Sequence, residues 1–97
     1  MTRNECVNLL RQCSATLQQE YGIISLCLFG SMARDEQTDN SDVDVFVDTQ
    51  TPNPFTLMNA KDYLEHTMQR PVDIIRNHKN LNPRLRKRIE RDRVLVF

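Results

Sequence analysis

Two aspartates, Asp42 and Asp44, stand two positions apart in the alternating segment DVDVFVD. In an extended strand such residues point to the same face, with Cα atoms about 6 to 7 Å apart. Both carboxylates then converge on one small area, where charges about 5 Å apart repel by about 3 kcal/mol at an effective dielectric of about 20. A divalent cation relieves that repulsion. Mg²⁺ fits, because it prefers carboxylate oxygens and keeps positions for water and phosphates.

A third acid, Asp73, lies among apolar residues in the segment PVDII, where packing does not account for a carboxylate. If this segment is a strand beside that of Asp42 and Asp44, three carboxylates meet. Such a trio can hold two divalent ions about 3.5 to 4 Å apart, one activating an attacking hydroxyl and one bound to the leaving phosphates. The three aspartates are therefore candidate ligands of two magnesium ions.

Gly30 and Ser31 end the apolar run IISLCLFG and precede a predicted short helical turn. Free backbone N–H groups at the start of a helix favour an anion, so a phosphate is a candidate ligand there. Arg34 could bring a guanidinium to the same phosphates, or could pair with a nearby acid. A Gly-Ser turn alone is common, and the chain has neither a P-loop nor a G-x-G-x-x-G motif. Its combination with the three acids favours phosphate binding.

The hydrophobic pattern predicts the elements that position these residues. Apolar residues at steps of three and four over 4–21 indicate one amphipathic helix, which Gly22 ends, and the continuous run 23–30 indicates a buried strand. Residues 42–48 read as a strand with three valines on its core face and Phe46 on the exposed face with the acids.

In the second half of the chain, predicted helices and strands again alternate. After the breaker cluster TPNP, the pattern predicts a helix to about residue 69, a strand over 70–76, a helix with Asn82 as N-cap and Pro83 at its first position, and a strand over 93–97. The order indicates an α/β (α+β) fold in a single domain of residues 1–97.

Composition limits the class of protein. Of 97 residues, 39% are hydrophobic and 27% charged, which is typical of a globular domain rather than a disordered chain. No apolar segment approaches the roughly 18 residues that span a bilayer, and the N-terminus has no signal-peptide core, so we expect a cytoplasmic protein without a membrane partner. The three cysteines form no C-x-x-C pair and are expected to be small buried apolar residues.

The net charge is zero but the charges are segregated. Residues 35–48 hold six acids and no base, whereas residues 84–93 hold six bases and two acids. The basic run is interpreted as a solvated helix face with an Arg86–Glu90 pair at i, i+4, in preference to a nucleic-acid surface. The same helix could instead meet an acidic partner surface.

Taken together, these motifs resemble the minimal nucleotidyltransferase family of the DNA polymerase beta superfamily. The family signature Gly-Ser-x-x-Arg, a spacer, then Ser-Asp-x-Asp is matched by GSMAR at 30–34 and SDVD at 41–44. The segment RPVDIIR is similar to the strand that carries the family's third carboxylate, and the likeness continues to the end of the chain. Many relatives have glycine after the motif arginine, where this chain has Asp35.

The resemblance implies a small mixed sheet backed by helices and a magnesium-dependent transfer of AMP from ATP to a hydroxyl. By this likeness Asp42 and Asp44 ligate the metals, and Asp73 completes one metal site and helps activate the acceptor. Gly30 and Ser31 hold the β- and γ-phosphates, with Arg34 a further candidate.

Members of this length resemble antitoxins paired with a HEPN ribonuclease toxin. That likeness implies adenylylation of a tyrosine on the toxin and a hetero-oligomer of the two proteins. An alternative is an antitoxin that neutralises its partner by direct binding, for which the predicted exposure of Phe46 and an uncovered sheet face are the motivation.

Overall fold

The structure is a computed structural model that describes residues 1–38, 40–51 and 53–97. Its elements are α1 (Arg3–Gln12), α2 (Ser14–Tyr21), β1 (Ile23–Phe29), α3 (Gly30–Ala33), β2 (Val43–Thr49), α4 (Pro54–Met68), β3 (Val72–Arg76), α5 (Pro83–Asp92) and β4 (Val94–Leu95). This order confirms the predicted α/β class. Asp39, one of the six acids of residues 35–48, and Pro52 of the TPNP cluster lie outside the described residues.

The four strands form one mixed sheet in the order β3-β2-β1-β4. β1 pairs antiparallel with both β2 and β4, whereas β2 and β3 are parallel. Helix α4 supplies the long connection that two parallel neighbours require. The predicted adjacency of the two acid-bearing strands is confirmed.

One face of the sheet carries the main core. The valines at 43, 45 and 47 are fully buried there, as the alternation of β2 predicted. Helices α1, α2 and α4 cover this face with Leu10, Leu17 and Leu64, each of which is also fully buried. The opposite face of β2 is thereby left for its polar residues and Phe46.

The prediction that Phe46 is exposed is wrong. Its side chain is only 7% exposed, because α5 lies over this face and packs Ile89 against Phe46 and Phe29 in a second, smaller core. Asn82 caps α5 and Pro83 occupies its first turn, as predicted, so the narrow apolar stripe of Leu85 and Ile89 begins in the right place. The second sheet face is therefore partly covered.

The single helix predicted over residues 4–21 is two helices. Cys13 separates them, because its φ of −86° and ψ of −5° lie outside regular α-helical values and its N–H is shared between the carbonyl oxygens of Leu9 and Leu10. The apolar steps continue across the junction, so the sequence pattern did not reveal it. Gly22 ends α2 with a φ of +64°, as expected for a helix C-terminus.

The strand bounds differ by one or two residues from those predicted: β1, β3 and β4 are shorter than the predicted segments, and β2 is shifted by one residue. Cys6 and Cys13 are buried as predicted, whereas Cys27 is only half-buried. Within the described ranges, no helix combines the length and the hydrophobicity needed to cross a bilayer.

Candidate active site

Asp44 lies where the strands that carry the candidate residues meet. It stands opposite Phe29 on β1, immediately before Gly30, and opposite Asp73 on the parallel strand β3. Paired residues on neighbouring strands share a sheet face at a spacing of about 4.8 Å. Asp42 precedes β2 by one residue, and its position two before Asp44 places it toward the same face. The topology thus brings the three aspartates to one end of one face.

Gly30 approaches the Asp44 carboxylate more closely than any other residue type could. A Cβ added to Gly30 would collide with Oδ2 of Asp44 and would lie 3.2 Å from its Cγ. Gly30 also has a φ of +76°, in the left-handed region that favours glycine. Two independent features therefore favour glycine where the Gly-Ser motif meets the acid-x-acid motif.

The environment of Asp44 opposes its ionisation. Burial, followed by the negative charges of Asp73 and Asp42, raises the pKa of the Asp44 carboxyl from 3.8 to about 6. The cations Arg88 and Arg34 act in the opposite direction. The three carboxylates therefore already influence one another electrostatically, and a cation among them would relieve the repulsion.

The chemistry of this donor set fits magnesium. All three candidate ligands are carboxylates, Asp42 and Asp73 are exposed, and only Asp44 is partly withdrawn from solvent. In the part of the chain that the structure describes, no three His, Cys, Asp or Glu side chains are grouped closely enough to hold a metal ion as they stand. Like charges repel across such a site, and a rotamer change moves a carboxylate by a few ångströms.

Ser31 follows Gly30 in the short helix α3, whose Met32 and Ala33 are buried. The residue before the helix, Phe29, provides no side-chain hydrogen bond to its first turn. The partly exposed Ser31 thus lies beside backbone N–H groups without a side-chain cap, next to Gly30, which contacts Asp44. The helix begins at Gly30 rather than after Ser31 as predicted, so both residues of the motif belong to its first turn.

Arg34 is paired with acids in this structure. Its NH1 donates to Oδ2 of Asp92 at 2.6 Å and its Nε to Oε2 of Glu36 at 3.2 Å. Arg91 also donates to Asp92, through Nε at 2.8 Å and NH2 at 3.2 Å, and the Asp92 side chain is only 4% exposed. Hydrogen bonds from Arg91 and then Arg34 hold the pKa of Asp92 below its ordinary value. Arg34 thereby ties the end of α3 to the end of α5.

Sequence reasoning did not single out Arg88 or Asp92. Arg88 acts on the site through its charge, and Asp92 acts through Arg34. Both residues belong to a helix whose placement over the sheet depends on the contact of Ile89 with Phe46. The one sequence signal was an acid, Asp92, near the end of a run with six bases and only one other acid, Glu90.

The sequence model of the polymerase beta nucleotidyltransferase family matches residues 11–97 of this chain. The chain belongs to this family. It is a nucleotidyltransferase, and the mixed sheet that brings Asp42, Asp44 and Asp73 to one face below Gly30 is the fold of its minimal members.

Known members of the family support this assignment over the whole chain. A candidate protein adenylyltransferase of Methanocaldococcus jannaschii is 33% identical over 96 residues, 98% of each chain. A candidate minimal nucleotidyltransferase of known structure superposes with a TM-score of 0.76 at 28% identity, covering 97% of this chain and 95% of that one. A second structure is the complex of a tri-AMPylated HEPN toxin of Shewanella oneidensis with an MNT antitoxin. It superposes with a TM-score of 0.67 at 15% identity, covering 94% of this chain and 71% of that one, which shows a shared fold alone.

Asp35 occupies the position where the family resemblance leads one to expect glycine. Its φ is +59°, a left-handed conformation that aspartate tolerates better than most residues. Its carboxylate accepts hydrogen bonds from the Arg3 backbone N–H and from Gln37, both at 3.3 Å. Aspartate thus preserves the backbone conformation of a glycine while its side chain interacts with the start of α1.

A cavity of about 230 Å³ lies on the same sheet face, but at the far end of β2 from Asp44. Phe46 and Ile89 form its wall on the side of the carboxylates. Its polar groups bind one another: Ser25 donates to Asp48 at 2.9 Å and Asn77 donates to Asp48 at 2.8 Å. Its lining includes none of the candidate residues Gly30, Ser31, Asp42, Asp44 and Asp73.

Arg86 belongs to the network at this cavity. It donates to Oδ1 of Asn77 at 3.1 Å and to the carbonyl oxygen of His78 at 2.8 Å. The predicted Arg86–Glu90 pair is therefore replaced by bonds to the segment that precedes α5. This contact helps to hold α5 against the sheet.

Proposed function

We propose that this nucleotidyltransferase transfers AMP from ATP to a hydroxyl group of a protein, with release of pyrophosphate. The observation that carries the proposal is the contact between Gly30 and Asp44, with Asp73 in register beside Asp44. It unites a phosphate-binding turn and an acidic cluster in one site. The protein adenylyltransferase description of the Methanocaldococcus jannaschii relative supports a protein as the acceptor.

Asp42 and Asp44 are proposed to hold Mg²⁺, with Asp73 completing the binding of a second ion. Bound there, the metal would neutralise phosphate charge and lower the pKa of the acceptor hydroxyl. The acceptor oxygen attacks the α-phosphorus, the bond from that phosphorus to the bridging oxygen breaks, and pyrophosphate leaves. Asp73, which is exposed, is the carboxylate assigned to receive the hydroxyl proton.

Gly30 and Ser31 are proposed to bind the β- and γ-phosphates through backbone N–H groups and the serine hydroxyl. Arg34 can join them only by leaving Asp92 or Glu36, with which it is paired. We therefore assign Arg34 first to positioning α3 and only secondarily to the phosphates.

The proposed acceptor is a tyrosine of a HEPN ribonuclease toxin, and the chain is proposed to act in the cytoplasm as the antitoxin in a hetero-oligomer. The support is the Shewanella oneidensis complex, in which an MNT antitoxin accompanies an AMPylated HEPN toxin. That complex shares only the fold with this chain, so the identity of the acceptor is tested directly by the experiment below.

Transfer is tested by incubating the protein, Mg²⁺ and the product of the adjacent gene with ATP labelled at either the α- or the γ-phosphate. The α-label should appear on the neighbour protein and the γ-label in pyrophosphate. Label from the γ-phosphate on the neighbour would mean phosphoryl transfer, and no label on a folded neighbour in complex would refute the acceptor.

The alternative of neutralisation by contact alone loses one of its two motivations, because Phe46 is covered by α5, while the sheet face beside it is only partly covered. A double variant, Asp42→Asn with Asp44→Asn, still separates the two mechanisms. Loss of protection of cells from the partner, with the complex intact, supports catalysis. Retained protection supports contact.

A further inference from the structure

The basic run of α5 is divided by the fold into inward and outward residues. Arg86 faces the Asn77 network and Ile89 is 1% exposed in the second core. The remaining cations of the helix, Arg84, Lys87, Arg88 and Arg91, are all exposed. Their spacing of i, i+3, i+4 and i+7 places them on one side of a helix. We call these four residues the α5 stripe.

The α5 stripe lies beside the candidate active site. Arg88 precedes Ile89, which packs on Phe46, and Phe46 is two residues from Asp44 on β2. At the other end, Arg91 shares Asp92 with Arg34, which ends the α3 turn. A molecule bound along the stripe would therefore extend past both the carboxylates and the Gly-Ser turn.

Most of this charge is available to a partner. Arg91 is paired with Asp92, but within the described part of the chain the side chains of Arg84, Lys87 and Arg88 form no ion pair. Four cations fixed on one helix side repel one another, and a complementary acidic surface relieves that repulsion. Ile89 and Arg86 already hold the helix in place. Binding of a partner along it would therefore cost this protein little conformational entropy.

We propose that the α5 stripe docks an acidic segment of the protein acceptor and so presents its hydroxyl to the site. The inference rests on the proposed function, and it names a recognition surface for the acceptor rather than for ATP. The partner it fits is a polypeptide with several aspartates or glutamates near the modified residue.

A polypeptide fits this surface better than a nucleic acid does. From Arg84 to Arg91 the stripe extends about 10 Å, which matches only about three phosphates along one strand. The helix contains no aromatic residue on which a base could stack.

The test uses fluorescent decaglutamate and decaadenylate as probes, at an ionic strength of about 0.15 M. The variants are Lys87→Glu and the double variant Arg84→Glu/Lys87→Glu. The matched control is Lys79→Glu, an exposed lysine outside α5 with the same change of charge. Glutamate at position 84 lies in the first turn of α5, where a negative charge is favourable, so the fold should persist. Thermal melts check this.

The wild type and Lys79→Glu should bind decaglutamate equally, and the double variant should lose about tenfold in affinity. Affinity for a fluorescent ATP analogue should not change. The inference would be overturned if the wild type did not bind decaglutamate, or if Lys79→Glu lost as much affinity as the double variant. It would also be overturned if the stripe bound decaadenylate more tightly than decaglutamate, or if the double variant lost affinity for the ATP analogue as well. Because no AMP transfer is measured, failure of the proposed function would leave this result intact, and the converse also holds.

Discussion

Gly30 lies so close to Asp44 that a single added methyl group would occupy the space of the carboxylate. The two residues come from different motifs and different elements, Gly30 from the start of α3 and Asp44 from β2, yet a larger residue at position 30 would displace the carboxylate. This contact joins the candidate phosphate-binding turn to the candidate metal-binding carboxylates in one structural unit.

Gly30→Ala should abolish nucleotidyl transfer. The new Cβ must displace the Asp44 carboxylate, and an L residue at φ of +76° is strained by about 1 to 2 kcal/mol. Gly22→Ala is the matched control, because its φ is +64° but a Cβ there would have only Gln50 atoms at 3.9 Å. Both variants should lose similar stability in thermal melts, and only Gly30→Ala should lose activity. Equal activity of the two would show that the contact is unimportant.

Asp44→Asn should stabilise the metal-free protein at pH 7 while removing its activity. The pKa of Asp44 is about 6 in the folded protein and 3.8 for an unperturbed aspartate. The folded state therefore binds the carboxyl proton more tightly than the unfolded state does. This contribution to stability is fully present below about pH 4 and is lost as the pH rises through about 6. Since Asp44 is only half-buried, we expect the variant to gain about 1 to 2 kcal/mol at pH 7.

Urea unfolding in a chelator at several pH values measures this difference. It should grow between pH 4 and 6 and then level off. Asp62→Asn, at an exposed position of α4, is the control and should show no such gain. A variant less stable than the wild type at pH 7 would contradict the account of Asp44.

Mg²⁺ should stabilise the wild type through the same carboxylates. At a concentration ten times its dissociation constant, a ligand that binds only the folded state adds about 1.4 kcal/mol. The rise in Tm should vanish in the Asp42→Asn/Asp44→Asn double variant and persist in Asp62→Asn. A rise that the double variant retains would place the metal elsewhere.

Arg34 and Asp92 should behave as one unit in a double-mutant cycle. Because Arg34 contacts Asp92 at 2.6 Å, Arg34→Ala and Asp92→Ala should each lower kcat/KM, and the double variant should lose little more than the worse single one. If Arg34→Ala weakens ATP binding while Asp92→Ala does not, the arginine acts directly on the phosphates instead.

The sequence predicted the placement of the candidate residues better than that of their surroundings. Strand alternation was enough to place Asp44 opposite the buried valines, and a lone acid in an apolar segment was enough to select Asp73. The burial of Phe46 and the pairing of Arg34 with Asp92 could not be predicted, because both depend on where α5 packs. The junction at Cys13 was also missed, since no proline or glycine marks it and the apolar spacing continues through it.

The most direct test of the central claim is tandem mass spectrometry of the adjacent gene product after incubation with this protein, ATP and Mg²⁺. The account predicts one or more adenylyl groups on hydroxyl side chains of that protein, and none when the Asp42→Asn/Asp44→Asn variant replaces the wild type. An unmodified product, with both proteins folded and bound to each other, would contradict it.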